Sequence, residues 1–153
     1  MKSIDFESNL VNIPTYQAGV AQASAYRAIG KLTETIIKDH NLTTMQWYMI
    51  GAIYDAGAGG LTTTRLSKVL DTNVSYITNT VNTLIAKNMV IRTTLDIDSR
   101  SKVLTIHPDF EPIIPTIEAD LRTKLKKVIY QDVTPSDLLT YIKVLYKINQ
   151  SIS

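Results

Sequence analysis

The sequence predicts a mainly α-helical fold with one small β hairpin, on three observations. Apolar residues recur at helical spacing through most of the chain, at Ile29, Leu32 and Ile36 or Ile117, Leu121 and Leu125 for example. Residues 89–107 break that pattern with the β-branched runs MVIRTTL and KVLTIH. Polar or glycine-rich breaks, such as AGAGG at 56–60 and Asp71-Thr72-Asn73, punctuate the rest. With 153 residues, 44% of them hydrophobic, the chain suits one compact domain or two small lobes sharing a core, and complete disorder is excluded.

The first helix is expected from Pro14-Thr15 to about Asp39, with Val20, Ala25, Ile29, Leu32 and Ile36 on its apolar face. TTMQ at 43–46 is a capping-box pattern, Thr43 taking a free N–H while Gln46 reaches back, and it opens a second helix through Met45, Tyr48, Met49, Ala52 and Ile53. Glycine in AGAGG accommodates the left-handed turn that ends this helix. Leu61 suits a very short strand, and Thr63 is expected to cap a helix with Leu66, Val69 and Leu70 inward and Arg65 and Lys68 outward. After the turn at 71–73, a helix from about Val74 to Lys87 carries one apolar stripe: Val74, Ile77, Val81, Leu84 and Ile85. Ser75, Asn79, Asn82 and Thr83 lie opposite. The hairpin follows, its two strands joined by the polar stretch DIDSRS. Pro108 and Asp109 are expected to open a long helix carrying Ile113, Ile117, Leu121, Leu125 and Val128. TPSD opens the last helix, with Thr134 as cap, Pro135 at the first helical position and Asp137 near the positive end of the dipole.

Composition narrows the function classes. The chain has no cysteine, which removes disulfides, thiolate metal sites and thiol redox sensing. No apolar run approaches the roughly 20 residues that cross a bilayer, and MKSIDFESNLVNIP does not read as a secretory leader, so cytoplasmic residence is the expectation. The net charge is only +2, but it is unevenly spread. Residues 1–60 hold four basic and five acidic groups, residues 61–107 six and three, and residues 108–153 six of each. The positive excess therefore falls on the middle of the chain, where a DNA-reading element needs it.

From 43 to 107 the order is helix, helix, turn, helix, hairpin, which is a winged helix-turn-helix. The stretches LTTMQWYMIGAIYDAG at 42–57, LTTTRLSKVLDTNVSYITNTVNTLIAKNMV at 61–90 and DIDSRSKVLTIH at 96–107, with flanking helices at 15–39, 109–131 and 135–150, resemble the MarR family of bacterial transcriptional regulators. The resemblance implies a single unit over 1–153. Its DNA-binding lobe is 42–107, and its dimerisation lobe combines 1–41 with 108–153. It also implies a homodimer in which each protomer offers one recognition helix and one wing to half of a near-palindromic double-stranded operator. Long apolar faces on the terminal helices agree with such a pairing.

On the recognition helix, the residues suited to DNA are Ser75, Tyr76, Asn79, Thr80, Asn82 and Thr83. Asparagine can pair with adenine, a threonine methyl can touch the thymine methyl, and hydroxyls can hold phosphates. The family commonly carries arginine on this face, whereas this helix has no basic residue before Lys87. Arginine-to-guanine contacts are thus unavailable from it, and an A·T-rich operator is expected. In the wing, the resemblance places Arg100 in the minor groove with Asp98 steadying it. Ser99 stands where a second basic residue is common, and Lys102 is positioned to meet phosphate. Arg65, Lys68, Lys87 and Arg92 are further phosphate candidates.

The resemblance further implies a small aromatic or phenolic effector in a crevice between the dimer helices and the winged lobe. Tyr16, Tyr26, His40, Trp47, Tyr48 and Tyr54 are aromatic or heteroaromatic residues near that region, although aromatics at helical spacing are more often core than ligand pocket, and no effector residue is assigned. Two rival classes remain. An enzyme is disfavoured: His40 and His107 are separated by the whole winged region, Asp96 and Asp98 share a hairpin tip with no pocket, and AGAGG follows a helix instead of linking a strand to one. No cofactor is implied. A winged-helix protein-interaction module that does not bind DNA is the alternative, favoured by the arginine-free recognition helix and small net charge.

Overall fold

The computed structural model describes residues 13–95 and 98–153, the side chains of residues 95 and 98–101 excepted. Among these residues run six α-helices and a two-stranded antiparallel sheet: α1 Thr15–Lys38, α2 Thr44–Ala56, α3 Thr63–Val69, α4 Val74–Ala86, β1 Val90–Leu95, β2 Asp98–Ile106, α5 Ile114–Val128 and α6 Pro135–Ser151. The fold is mainly helical with a small β wing, as the sequence predicts. None of the described helices is long and apolar enough to cross a membrane.

Short polar residues set the helix boundaries. The Thr43–Gln46 capping box forms in full, the Gln46 N–H donating to Thr43 Oγ1 while Thr43 N–H donates to Gln46 Oε1. Asn73 caps α4 by accepting from the Tyr76 N–H at 2.8 Å, and Thr134 caps α6 by accepting from Asp137. The cap of α3 is Thr62, one residue earlier than expected, because Thr62 has the extended backbone a cap requires and Thr63 is already helical. Asn41 and Asn88, both at positive φ, end α1 and α4 where glycine is the commoner choice.

Two further expectations change. Ile114, not Pro108 or Asp109, opens α5; before it comes a 3₁₀ turn over Glu111–Ile113. Pro115 explains this: in a helix begun at 109 its ring would fall in the interior, whereas here it occupies the first turn, where no N–H is needed. Ile113 is accordingly exposed and Ile114 buried. In the hairpin, β2 begins at Asp98, inside the stretch expected to be loop, and the register shifts between Thr94 and Leu95. Where a very short strand was expected, Leu61 makes a single-residue bridge to Leu104 through reciprocal backbone bonds of 3.0 and 2.7 Å.

One core joins these elements. Met49, Ile50 and Ile53 of α2, Leu66 of α3 and Ile77, Val81 and Leu84 of α4 are buried with Val90 and Leu104 of the hairpin. Ile36 and Ile37 at the end of α1 and Ile114, Ile117 and Leu121 of α5 belong to the same cluster. Val69, expected inward, is 54% exposed, and Val74 is exposed as well. Only the last third of α1 reaches the core: Val20 and Ala25 stand exposed, and Ile29 and Leu32 are half-buried. In α6 no residue is buried. The long helices therefore project beyond the protomer's own core.

Across from the core, His40 and α5 are tied together. His40 Nε2 lies 2.6 Å from Asp120 Oδ2, and Lys124 Nζ is 3.0 Å from Asp120 Oδ1. The His40 hydrogen bond first, then that of Lys124, hold the Asp120 carboxyl below its ordinary pKa. A depressed carboxyl stabilises the fold above the ordinary carboxylate range, and this contribution is lost as pH falls through the lowered value. The urea midpoint of the wild type should therefore fall more steeply on acidification through that range than the midpoint of Asp120→Asn; parallel curves would remove Asp120 from the acid response.

Gly60 offers a sharper test of the turn. At φ +67 it packs so closely on the hairpin that a Cβ would sit 2.5 Å from Leu104 O. Gly60→Ala should cost roughly 2 kcal/mol or more by urea denaturation. By contrast, Gly51→Ala, inside α2 with open space around it, should raise stability by up to about 1 kcal/mol.

Candidate nucleic-acid interface

The face of α4 turned away from the core is polar and uncharged. Ile77, Val81 and Leu84 anchor one side, which directs Ser75, Asn79, Asn82 and Thr83 to solvent on the other; all four are exposed. Tyr76 is exposed on one flank, and Thr80, on the same flank, is half-buried. The hydroxyls of Thr80 and Thr83 donate to the carbonyls of Tyr76 and Asn79, at 2.9 and 3.3 Å. That uses their protons within the helix and leaves methyl groups and oxygen lone pairs outward, a surface better suited to base edges and methyls than to phosphate.

Positive charge surrounds this face without entering it. Arg65 and Lys68 are exposed on α3, and Lys102 is exposed on β2. Arg92 pairs with Leu104 across the hairpin, and Thr94 with Lys102. Directly opposed residues share a face, so the side of the sheet that buries Val90 and Leu104 near the core carries Arg92 and Lys102 farther out. Arg92 then reaches α4, where Nη2 donates to Asn82 Oδ1 at 2.9 Å. Between α3, α4 and the wing a cleft of about 470 Å³ opens, lined by Thr62, Thr63, Thr64, Thr78, Asn82, Arg92 and Lys102. Thr62–Thr64 and Thr78 were not among the DNA-contacting residues expected from sequence; the usable signal was that Thr78 lies four residues before Asn82, on the same side of the helix.

Asp98 and Arg100 lie on β2, but their side chains are outside the described residues, as is the whole of Asp96. Lys87, expected at phosphate, turns inward instead. Its Nζ donates to the Asn41 carbonyl at 2.7 Å and to Gln46 Oε1 at 3.3 Å, joining the end of α4 to the start of α2.

On the other side of the molecule, α1, α2, α5 and the start of α6 enclose a crevice of about 840 Å³. Trp47, Tyr48, Leu125 and Tyr130 are on its wall, with Arg122 and Lys126 beside them. Burial first, and proximity to Tyr26, raises the pKa of the Tyr48 phenol; burial first, then Tyr141 and Tyr48, raises that of Tyr130. Both phenols are therefore neutral donors at physiological pH. Of the aromatic residues singled out from sequence, Trp47 and Tyr48 line this crevice. Tyr26 lines an adjoining groove between α1 and α6, Tyr54 a separate small pocket, and His40 is held by Asp120. Tyr16 is exposed near the start of α1.

Residues 40–101 match the model of the MarR family. No curated protein matches the chain. Among solved structures, AbsC, a MarR family transcriptional regulator from Streptomyces coelicolor, is 14% identical with a TM-score of 0.76, over 90% of this chain and 93% of that one. Staphylococcus aureus MarR in complex with salicylate and kanamycin is 21% identical with a TM-score of 0.74, over 90% and 91%. The S. aureus MepR–DNA complex is 16% identical with a TM-score of 0.70, over 91% of this chain and 99% of that one. The winged segment thus matches the MarR family in sequence, and nine-tenths of the chain shares the fold of MarR family transcriptional regulators.

The inward turn of Lys87 carries its own test. Lys87→Ala should lower stability in urea by about 1 kcal/mol, from the lost bonds at Asn41 and Gln46. An unchanged urea midpoint would return Lys87 to the free surface cations.

Proposed function

We propose that this chain, with a MarR-family winged segment and the fold of MarR regulators, is a homodimeric, sequence-specific double-stranded DNA-binding transcriptional regulator. The observation that carries the proposal is the exposed, uncharged polar face of α4, bordered by Arg65, Lys68, Arg92 and Lys102. Phosphate contacts from the flanks set position, and polar side chains between them read base edges. Ser75, Tyr76, Asn79, Thr80 and Thr83 face the major groove. Arg100, steadied by Asp98, enters the adjacent minor groove. With no arginine on α4 to read guanine, the preferred operator is A·T-rich.

Dimerisation follows from what the protomer leaves uncovered. Tyr26 is 79% and Tyr146 67% exposed, and Val20, Leu139, Val144 and Ile148 are exposed on the same long helices. A second copy packing on α1 and α6 covers this apolar surface and sets two recognition helices at a fixed separation, the requirement for reading a near-palindrome. The crevice lined by Trp47, Tyr48 and Tyr130 is the place for an effector of aromatic or phenolic type. Its rings offer stacking and its neutral phenols offer hydrogen bonds, while its charges are balanced, Arg122 and Lys126 standing beside Glu118 and Asp132 with Arg122 held by Glu118 at 2.9 Å. S. aureus MarR, solved with salicylate, is a precedent of the same fold. The chemistry is that of a binding protein, and no catalytic step is assigned to it.

The experiment is selection from a pool of random duplexes, with the wild type beside Arg100→Ala, followed by sequencing of the retained DNA. An A·T-rich near-palindrome is expected with the wild type, and a loss of roughly tenfold or more in affinity with Arg100→Ala. Absence of both enrichment and salt-dependent retention would favour the protein-interaction module, the reading to which the charge-free face of α4 otherwise lends itself.

A further inference from the structure

The pair Arg92–Asn82 and the cleft around it have a chemistry distinct from the rest of the interface. Asn82 Oδ1 already accepts from Arg92 Nη2 at 2.9 Å, so its carbonyl points to the wing. Reading adenine would require the carbonyl and the amino group together, on one outward edge. What Asn82 brings to the cleft is its amide N–H₂, a donor. Thr62 accepts from the Arg65 N–H at 3.1 Å and so retains a hydroxyl proton to donate. The Arg92 guanidinium and the Lys102 ammonium are donors only. No carboxylate is among the described lining residues. Two positive charges, the Asn82 amide N–H₂ and the Thr62 hydroxyl suit an anionic ligand that accepts hydrogen bonds; the Thr78 hydroxyl already donates to the Val74 carbonyl at 2.9 Å and turns its methyl or lone pairs to the cleft.

A phosphodiester meets that description, and the position of the cleft says which one. If α4 occupies a major groove and the wing the neighbouring minor groove, the sugar-phosphate strand separating those grooves must run between α4 and the wing. The cleft opens at that location, between Thr78 and Asn82 of α4 and Arg92 and Lys102 of the hairpin.

Resting on the DNA-binding reading above, we infer that this cleft is a cradle for one backbone phosphodiester of duplex DNA, with Arg92 its principal cation. Asn82 is a positioning residue that orients the Arg92 guanidinium and does not read a base. The assignment removes Asn82 from the base readers expected from sequence, adds Thr62 to the backbone contacts, and makes Arg92, already a phosphate candidate, the principal one.

The test compares wild type, Arg92→Gln, Arg92→Lys, Asn82→Ala and the double variant Arg92→Gln/Asn82→Ala. Each is titrated against the selected duplex and against a generic duplex over a range of salt concentrations, with a base-by-base substitution scan. Arg92→Gln should weaken binding to both duplexes by a similar factor and reduce the salt slope by about 0.9, the value for one phosphate neutralised. Arg92→Lys should retain the slope, which separates lost charge from a damaged fold. Asn82→Ala should weaken binding while leaving the base preferences unchanged, and the double variant should be no weaker than Arg92→Gln alone.

A changed base preference in Asn82→Ala, or a wild-type slope in Arg92→Gln, overturns the cradle while leaving the DNA-binding reading intact. A wild type that binds no duplex at any salt overturns both. Inorganic phosphate alone is the arm for a free anion: saturable uptake at Arg92, with an unchanged duplex slope in Arg92→Gln, would assign the cleft to a small anion and overturn the DNA assignment.

Discussion

The orientation of α4 depends on the turn at residues 39–41, which is held from both sides at His40 and Asn41. His40 Nε2 meets Asp120 of α5 at 2.6 Å, and the next residue's carbonyl accepts from Lys87 at the end of α4 at 2.7 Å. Asn41 adopts positive φ, which turns the chain from α1 into α2, and Lys87 also reaches Gln46, a member of the capping box that starts α2. Four helix ends or faces meet within a few residues. The buried cluster from Ile37 through Met49 and Leu84 to Ile117 lies beneath them and keeps the polar contacts in register. The long helices and the recognition helix are thus referenced to one another at a single junction, which is what a protein needs if the spacing of its helices is to match a spacing along DNA.

Beyond that junction, charge and polarity are sorted by function. The recognition helix carries no ionisable group other than Tyr76, and the cations stand on α3 and on the hairpin. In the proposed DNA-binding function, charge at the edges would supply affinity that is largely indifferent to sequence, and amides, hydroxyls and methyls in the middle would supply discrimination at about 1–3 kcal/mol per well-made base contact. A modest net charge of +2 is consistent with this division, because local placement, not the total, determines the field at the interface.

Much of this was legible in the sequence, and the parts that were not share a physical cause. Caps and turns rest on neighbours in the chain, so Thr43–Gln46, Thr134-Pro135 and the glycines of AGAGG could be read directly. The start of α5 was also readable, since Pro115 forbids an earlier one, though Pro108-Asp109 offered a competing signal. Val69 satisfied helical periodicity, but α3 is only seven residues long, too short for a continuous buried stripe. The inward turn of Lys87 was out of reach: whether a lysine faces DNA or a carbonyl 46 positions away is decided by tertiary packing. Likewise, Asn82 reads as a base-contacting residue until Arg92, ten positions on, is seen to engage its carbonyl. The exposed apolar residues of α1 and α6 followed the expected periodicity yet did not find their cover within one protomer.

Those uncovered helices and the polar face of α4 lead to one claim, that two copies of the chain read one duplex symmetrically. The most direct measurement is a hydroxyl-radical footprint of the wild-type protein on a duplex it selects. Two equivalent patterns of protection are expected, related by a two-fold axis, each with a protected minor-groove window beside an occupied major groove. A single asymmetric patch, or no protection at a protein concentration that saturates retention, would contradict it.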